Sequence, residues 1–221
     1  MEPSSALDRI ADVLGARDVV VGDGPDALTY LHSQVSQDLQ EMAVGERRWS
    51  FLLEPTGKVA AVARVTRTGE ERYELDTEAG WGEALLARID RFKLRVRADT
   101  TLVPAIADVA VDEARRIELG WPRLGREIVP GETIPAGTGL SRVAVSFTKG
   151  CYPGQELVER MDSRAAEAPR SLRRITVAPG TAPGDPVLDD GVEVGVVTSV
   201  AGTRALAWVK RTTDLGDVVQ F

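Results

Sequence analysis

Three features of the chain predict an α+β fold. Helical spacing and strand-like alternation follow one another from the N-terminus, in the order helix, strand, helix, hairpin, strand, helix, strand. The strands are short and closely spaced, so they pair in a mainly antiparallel sheet whose helices lie on one face. From Arg174 onward strands dominate, divided by Pro179-Gly180, Asp189-Asp190-Gly191 and Gly202, which predicts a small barrel or sandwich at the C-terminal end.

The first helix takes Leu7, Ile10 and Leu14 as one face, with Ser4 or Ser5 as its cap and Gly15 as its stop. Val19-Val20-Val21 reads as a buried strand. Gly22-Asp23-Gly24-Pro25 then turns the chain into a helix carrying Ala27, Leu28, Leu31 and Val35. That turn lacks the glycine spacing and lysine of a phosphate loop. His32, on the same helix, has no acid at catalytic spacing and is expected to be a satisfied edge residue. Trp49, Phe51 and Leu53 alternate with Ser50 and Leu52, Pro55-Thr56-Gly57-Lys58 reverses the chain, and Val59 to Val65 returns, which makes a hairpin. Arg72 to Asp76 is the next strand. A helix from about Glu78 places Trp81, Leu85, Ile89 and Phe92 on one side. Leu94 to Val103 alternates as a strand, and Arg115 to Pro122 reads as another, stopped by Gly120 and Pro122. Gly125 to Leu140 is loop, and Val143 to Phe147 is an apolar run. Beyond the next helix, Arg170, Arg173 and Arg174 read as a solvated basic cluster.

Composition narrows the functional classes. The 221 residues are 43% hydrophobic, ample for a core, and carry a formal charge of −7, which disfavours non-specific binding to nucleic acid or an anionic membrane. No apolar run reaches the length of a membrane span, and no basic segment followed by an apolar one opens the chain, so a cytoplasmic location is expected. One cysteine and one histidine exclude an internal disulfide and a self-contained zinc or iron–sulfur site of ordinary ligand count.

The densest chemistry lies in Lys149-Gly150-Cys151-Tyr152-Pro153-Gly154-Gln155-Glu156. The glycines permit tight backbone geometry, and Pro153 fixes the chain before a helical run containing Leu157, Val158 and Met161. Two readings of Cys151 stand: a small buried hydrophobe, or a thiol whose thiolate is favoured by the helix N-terminus and by Lys149. Glu118 also has two readings. Its carboxylate either accepts paired N–H groups of a planar heterocycle or pairs with Arg116, two residues away on one face of a strand.

The eight-residue stretch resembles the signature of the YgfZ-type folate-binding proteins, relatives of the glycine-cleavage aminomethyltransferase, the T-protein. Val21-Gly22 through Leu31, Pro55-x-Gly57-Lys58, Arg91-Phe92-Lys93-Leu94-Arg95, Arg116-x-Glu118-x-Gly120-x-Pro122 and Gly195-x-Val197-Thr198-Ser199 extend the likeness over nearly the whole chain. It implies a ring of α+β subdomains around a central folate cavity, with residues 1–169 as the folate-binding region (subdomains of about 1–104 and 105–169) and 170–221 as a β-barrel. It further implies tetrahydrofolate as cofactor and a part in making or repairing iron–sulfur clusters, including those of tRNA-thiolating enzymes. The expected partners are iron–sulfur client or assembly proteins, with no membrane and no direct nucleic-acid contact. On this resemblance Cys151 is the functional thiol with Lys149 biasing its ionisation. Glu118 reads the pterin, and Arg116, Tyr152, Gln155 and Glu156 shape the binding surface.

The chain departs from that pattern at several positions. Gly137 stands where members commonly carry an acid, Ala165 where they carry glycine, and Ala60-Ala61 where the transferases place an acidic pair after the hairpin turn. Alanine carries no proton, so an accessory role is favoured over an aminomethyl-transfer enzyme. A docking module without folate activity is the third reading.

Overall fold

The computed structural model describes Leu7, Ile10 and residues 13–106, 109–163 and 168–221. The Ser4 and Ser5 caps and the Ala165 turn lie outside the described residues.

The first sheet comprises β1 (Arg17–Asp23), β2 (Arg47–Leu53), β3 (Val59–Arg67), β4 (Arg72–Glu78) and β5 (Asp99–Val103), in the order β2-β3-β4-β1-β5 with every pairing antiparallel. Strands β2 and β3 are largely apolar on both sides because both faces are covered. On one, Val20, Leu52, Ala63, Val65 and Leu75 pack against α1 (Ala27–Gln34) and α2 (Gly82–Asp90) through Leu31, Leu85 and Ile89. On the other, Trp49, Phe51, Leu53 and Val62 pack against Trp121, Leu124, Ile128, Leu140, Tyr152 and Val158 of the segment that carries the cysteine turn. Trp121 links ring to ring with Trp49 and Phe221, at centroid distances of 4.5 and 5.2 Å. Side chains therefore fill the space beside the hairpin.

Three expectations are corrected. The segment read as a strand over Arg115 to Pro122 is a helix, α3 (Glu113–Leu119). The Asp112 side chain caps it by accepting the Arg115 N–H at 2.9 Å, and Gly120, at φ +85°, closes it by donating to the carbonyls of Arg116 and Ile117. Glu118 consequently pairs with Arg115, three residues back, and not with Arg116. The strand predicted from Leu94 begins only at Asp99, because Arg95 takes a left-handed conformation at φ +56° that interrupts an extended run.

The third correction concerns the C-terminal end, which forms an open sheet. Strands β6 (Arg170–Thr176), β7 (Pro186–Asp189), β8 (Val192–Ala201), β9 (Arg204–Lys210) and β10 (Asp217–Val218) run in the order β10-β6-β9-β8-β7, again antiparallel. Closure requires the outer strands to pair, and no ladder joins the short β7 and β10 among the described residues.

A buried polar network joins this sheet to the rest. Arg116 is fully buried. It donates to Glu113 at 2.8 Å, to the Trp121 carbonyl at 2.6 Å, to Glu127 at 3.2 Å and to Ser199 of β8 at 2.7 Å. Glu127, equally buried, also accepts from Thr198, Ser199 and the Arg123 N–H. Arg123 completes the web through Glu78 and Glu113, each at 2.7 Å.

Candidate functional site

The cysteine turn sits on the hairpin, and two glycines set that contact. Gly57 and Gly154 both have φ of +82°. A Cβ on Gly154 would lie 2.5 Å from the Glu54 carbonyl oxygen and 2.9 Å from Gly57 Cα. A Cβ on Gly57 would overlap the Leu157 side chain. The Pro55-x-Gly57 turn and the cysteine stretch are thus two halves of one close backbone approach. Beyond the short helix α4 (Ser141–Ala144), Pro153 and Gly154 lead into α5 (Gln155–Ser163).

Within this turn Cys151 is exposed and free. Lys149, by contrast, is buried. Its ammonium donates to the carbonyls of His32, Val35 (2.6 Å) and Gln37 (3.2 Å), all at or just beyond the C-terminal end of α1, where helix carbonyls lack intrahelical partners. It also lies 5.1 Å from the centre of the Tyr152 ring. Burial pulls the lysine pKa down to about 8, with Asp38 opposing the shift, and burial pushes the Tyr152 phenol up to about 12. His32 is lowered by burial first and by Lys149 second, and its Nδ1 accepts the Leu39 N–H at 3.2 Å. This is the satisfied edge histidine expected. Gln155 donates to Glu159, and Glu156 pairs with Arg160 at 2.6 Å, so both face along the exposed side of α5.

Glu118 belongs to a separate place. It lines a cavity of about 790 Å³ between α3, β6, β9 and the C-terminal residues, together with Arg115, Arg174, Arg204, Asp217 and Phe221. Cys151, Tyr152, Gln155 and Glu156 are not part of that lining. The Glu118 carboxylate lies 2.8 Å from Arg115 and 3.6 Å from Arg204, and its backbone carbonyl accepts from Arg174 at 3.0 Å. The hydrogen bond from Arg115, then its charge, hold the Glu118 carboxyl below the usual range. At neutral pH it is an ionised, acceptor-only group on the cavity wall. Arg116 lies behind that wall with its donors already engaged, so it reaches a ligand only by giving up a bond within the network.

Of the residues predicted from sequence, the turn brings together Lys149, Cys151, Tyr152, Gln155 and Glu156, and the cavity takes Glu118 alone. Sequence reasoning missed Arg174 and Arg204 as cavity residues and Glu127 as the centre of the network. The one signal for the last was Thr198-Ser199, two adjacent hydroxyls following the apolar run Val194 to Val197.

No family model matches the chain. It is similar to an uncharacterized protein of Haemophilus influenzae, 25% identical over 183 residues, covering 65% of this chain and 65% of that protein. An aminomethyltransferase of Nostoc sp. is 27% identical over 190 residues, with 85% of this chain and 46% of that protein covered. For an aminomethyltransferase of Rippkaea orientalis the figures are 25% over 213 residues, 91% and 52%. The chain spans 46% to 65% of the length of these curated relatives. In fold it resembles the glycine cleavage system aminomethyltransferase T of Bartonella henselae, with a TM-score of 0.73 at 16% identity over 95% of this chain and 82% of that one. The chain is a distant relative of the glycine-cleavage aminomethyltransferases, the T-proteins, and has their α+β fold.

Proposed function

We propose that the chain is a tetrahydrofolate-binding accessory protein in the maturation or repair of iron–sulfur proteins, with Cys151 as its working thiol. The observation that carries the folate part is the cavity around Glu118. Its volume of about 790 Å³ falls in the range of small-molecule sites. A pterin presents an amino group and a ring N–H side by side, which suits an ionised carboxylate such as Glu118. The glutamyl tail of a folate carries carboxylates, which suit the guanidinium groups of Arg174 and Arg204. Phe221 offers an aromatic surface on the same wall. Tetrahydrofolate supplies a nitrogen carrier for a one-carbon unit when bound.

An accessory role is favoured over aminomethyl transfer by Ala60 and Ala61 of β3, which offer no proton-transferring group beside the hairpin turn. The exposed Cys151 stands on a turn braced by Gly57 and Gly154, open to a protein partner such as an iron–sulfur client or assembly protein, including a tRNA-thiolating enzyme.

Titration with tetrahydrofolate tests the reading. Saturable binding is expected, weakened about tenfold in Glu118→Gln at unchanged thermal stability. Cys151→Ala is expected to bind folate normally yet fail to support the activity of an iron–sulfur enzyme. Equal folate affinity in Glu118→Gln rejects the pterin site, and full support by Cys151→Ala rejects the thiol.

A further inference from the structure

A second cavity, of about 650 Å³, lies between the 126–137 segment and the face of the C-terminal sheet that carries Val196, Thr198, Trp208 and Lys210. The folate reading makes no use of it. Trp208 is set in its wall by the bond from its indole N–H to the Glu127 carbonyl at 2.9 Å. Gly137 brings the loop wall onto the indole, since a Cβ there would come within 2.8 Å of Trp208 Cζ3 and 2.7 Å of the Arg170 carbonyl oxygen.

The charges of this cavity are unusual. Arg170 of β6 and Lys210 of β9 are directly opposite in the antiparallel register, and both line the cavity. Like charges so placed destabilise a sheet. No carboxylate pairs with either cation among the described residues; Lys210 donates only to the Glu193 carbonyl, at 3.0 Å. Of the two acids on the lining, Glu127 is buried and already accepts from Arg116, Arg123, Thr198 and Ser199. The other, Glu132, lies on the loop. A cation pair without a carboxylate partner among the described residues, beside an indole and apolar side chains, is complementary to a flat ring bearing one negative group.

We propose that this cavity binds a planar aromatic carboxylate, its ring against Trp208 and its carboxylate between Arg170 and Lys210. Binding removes the repulsion that the sheet otherwise carries, so the two cations weaken the free protein and strengthen the complex.

The test uses the full chain with its indole N–H groups observed by ¹⁵N NMR, the Trp208 signal being assigned with Trp208→Phe. The probes are 2-naphthoate, the uncharged 2-naphthamide, and inorganic phosphate as an anion without a ring. Naphthoate is expected to shift the Trp208 signal saturably, with naphthamide and phosphate each binding at least tenfold more weakly. Arg170→Gln and Lys210→Gln are each expected to lose about tenfold in naphthoate affinity while melting at or above the parent temperature. Glu118→Gln, in the other cavity, is expected to bind naphthoate like the parent. Equal affinity for naphthoate and naphthamide, parental affinity in Lys210→Gln, or no saturable shift at millimolar probe each overturn the proposal.

Discussion

Replacing Lys149 by methionine removes a cation that the fold keeps almost out of water, at 8% exposure. Its pKa is about 8 in the folded chain against an ordinary value of 10.5, with burial as the cause. Between those values the unfolded chain keeps a proton that the folded chain has released, so stability rises with pH across the window. The whole gap corresponds to about 3 kcal/mol, of which about 2 kcal/mol falls between roughly pH 7.5 and 9.5. Urea unfolding of wild type and Lys149→Met across that narrower range measures the rise directly. A Cys151→Ala background keeps thiol ionisation out of the comparison. The upper limit matters because Tyr30 and Tyr152, with phenols pushed up to about 12 by burial, act with the opposite sign above pH 10. Wild type is expected to gain about 2 kcal/mol relative to the variant over the range. Parallel pH profiles refute the reasoning. A wild type that loses ground instead means that the three carbonyl bonds outweigh burial and hold the ammonium charged.

Two other substitutions test the packing described above. Gly154→Ala forces a Cβ to within 2.5 Å of the Glu54 carbonyl oxygen at a φ of +82°, and is expected to cost about 2 kcal/mol or more in chemical denaturation. Arg116→Met leaves the buried Glu127 carboxylate without its cation and is expected to cost about 3–5 kcal/mol, part of which Glu127→Gln restores in the double variant. Additive single losses in that cycle show that the two residues do not act as a pair.

Much of the first sheet was legible because β1 to β3 carry short apolar runs bounded by turn residues and β4 opens with polar–apolar alternation, the patterns that local sequence reports best. Helix α3 was not, for an identifiable reason. Arg116, Ile117, Glu118 and Leu119 alternate polar with apolar, which imitates a strand, and seven residues are too few to display a helical period. The decisive signals were local and were available: Asp112 as a cap and Gly120 as a left-handed stop. The open end of the second sheet was hidden for a different cause. Short strands and turns read the same in a barrel and in an open sheet, since closure depends on pairing between chain segments far apart in sequence. The site divides in the same way. The eight-residue turn announced itself through its glycines and proline, whereas the burial of Lys149 among the carbonyls beyond α1 and the meeting of Glu118 with Arg174 and Arg204 depend on contacts between distant segments.

The Arg116 guanidinium has a bearing on how the molecule comes apart. Its bonds run to α3, to the Glu127 loop and to β8, so detaching the C-terminal sheet would strip Ser199 and Thr198 from a charge pair that stays sealed from solvent. A buried arginine–glutamate pair deprived of those hydroxyl partners is costly, and partial opening at this boundary is therefore disfavoured relative to complete unfolding, in which both charges are hydrated. The two sheets, whose apolar cores are separate, are therefore expected to melt in a single transition.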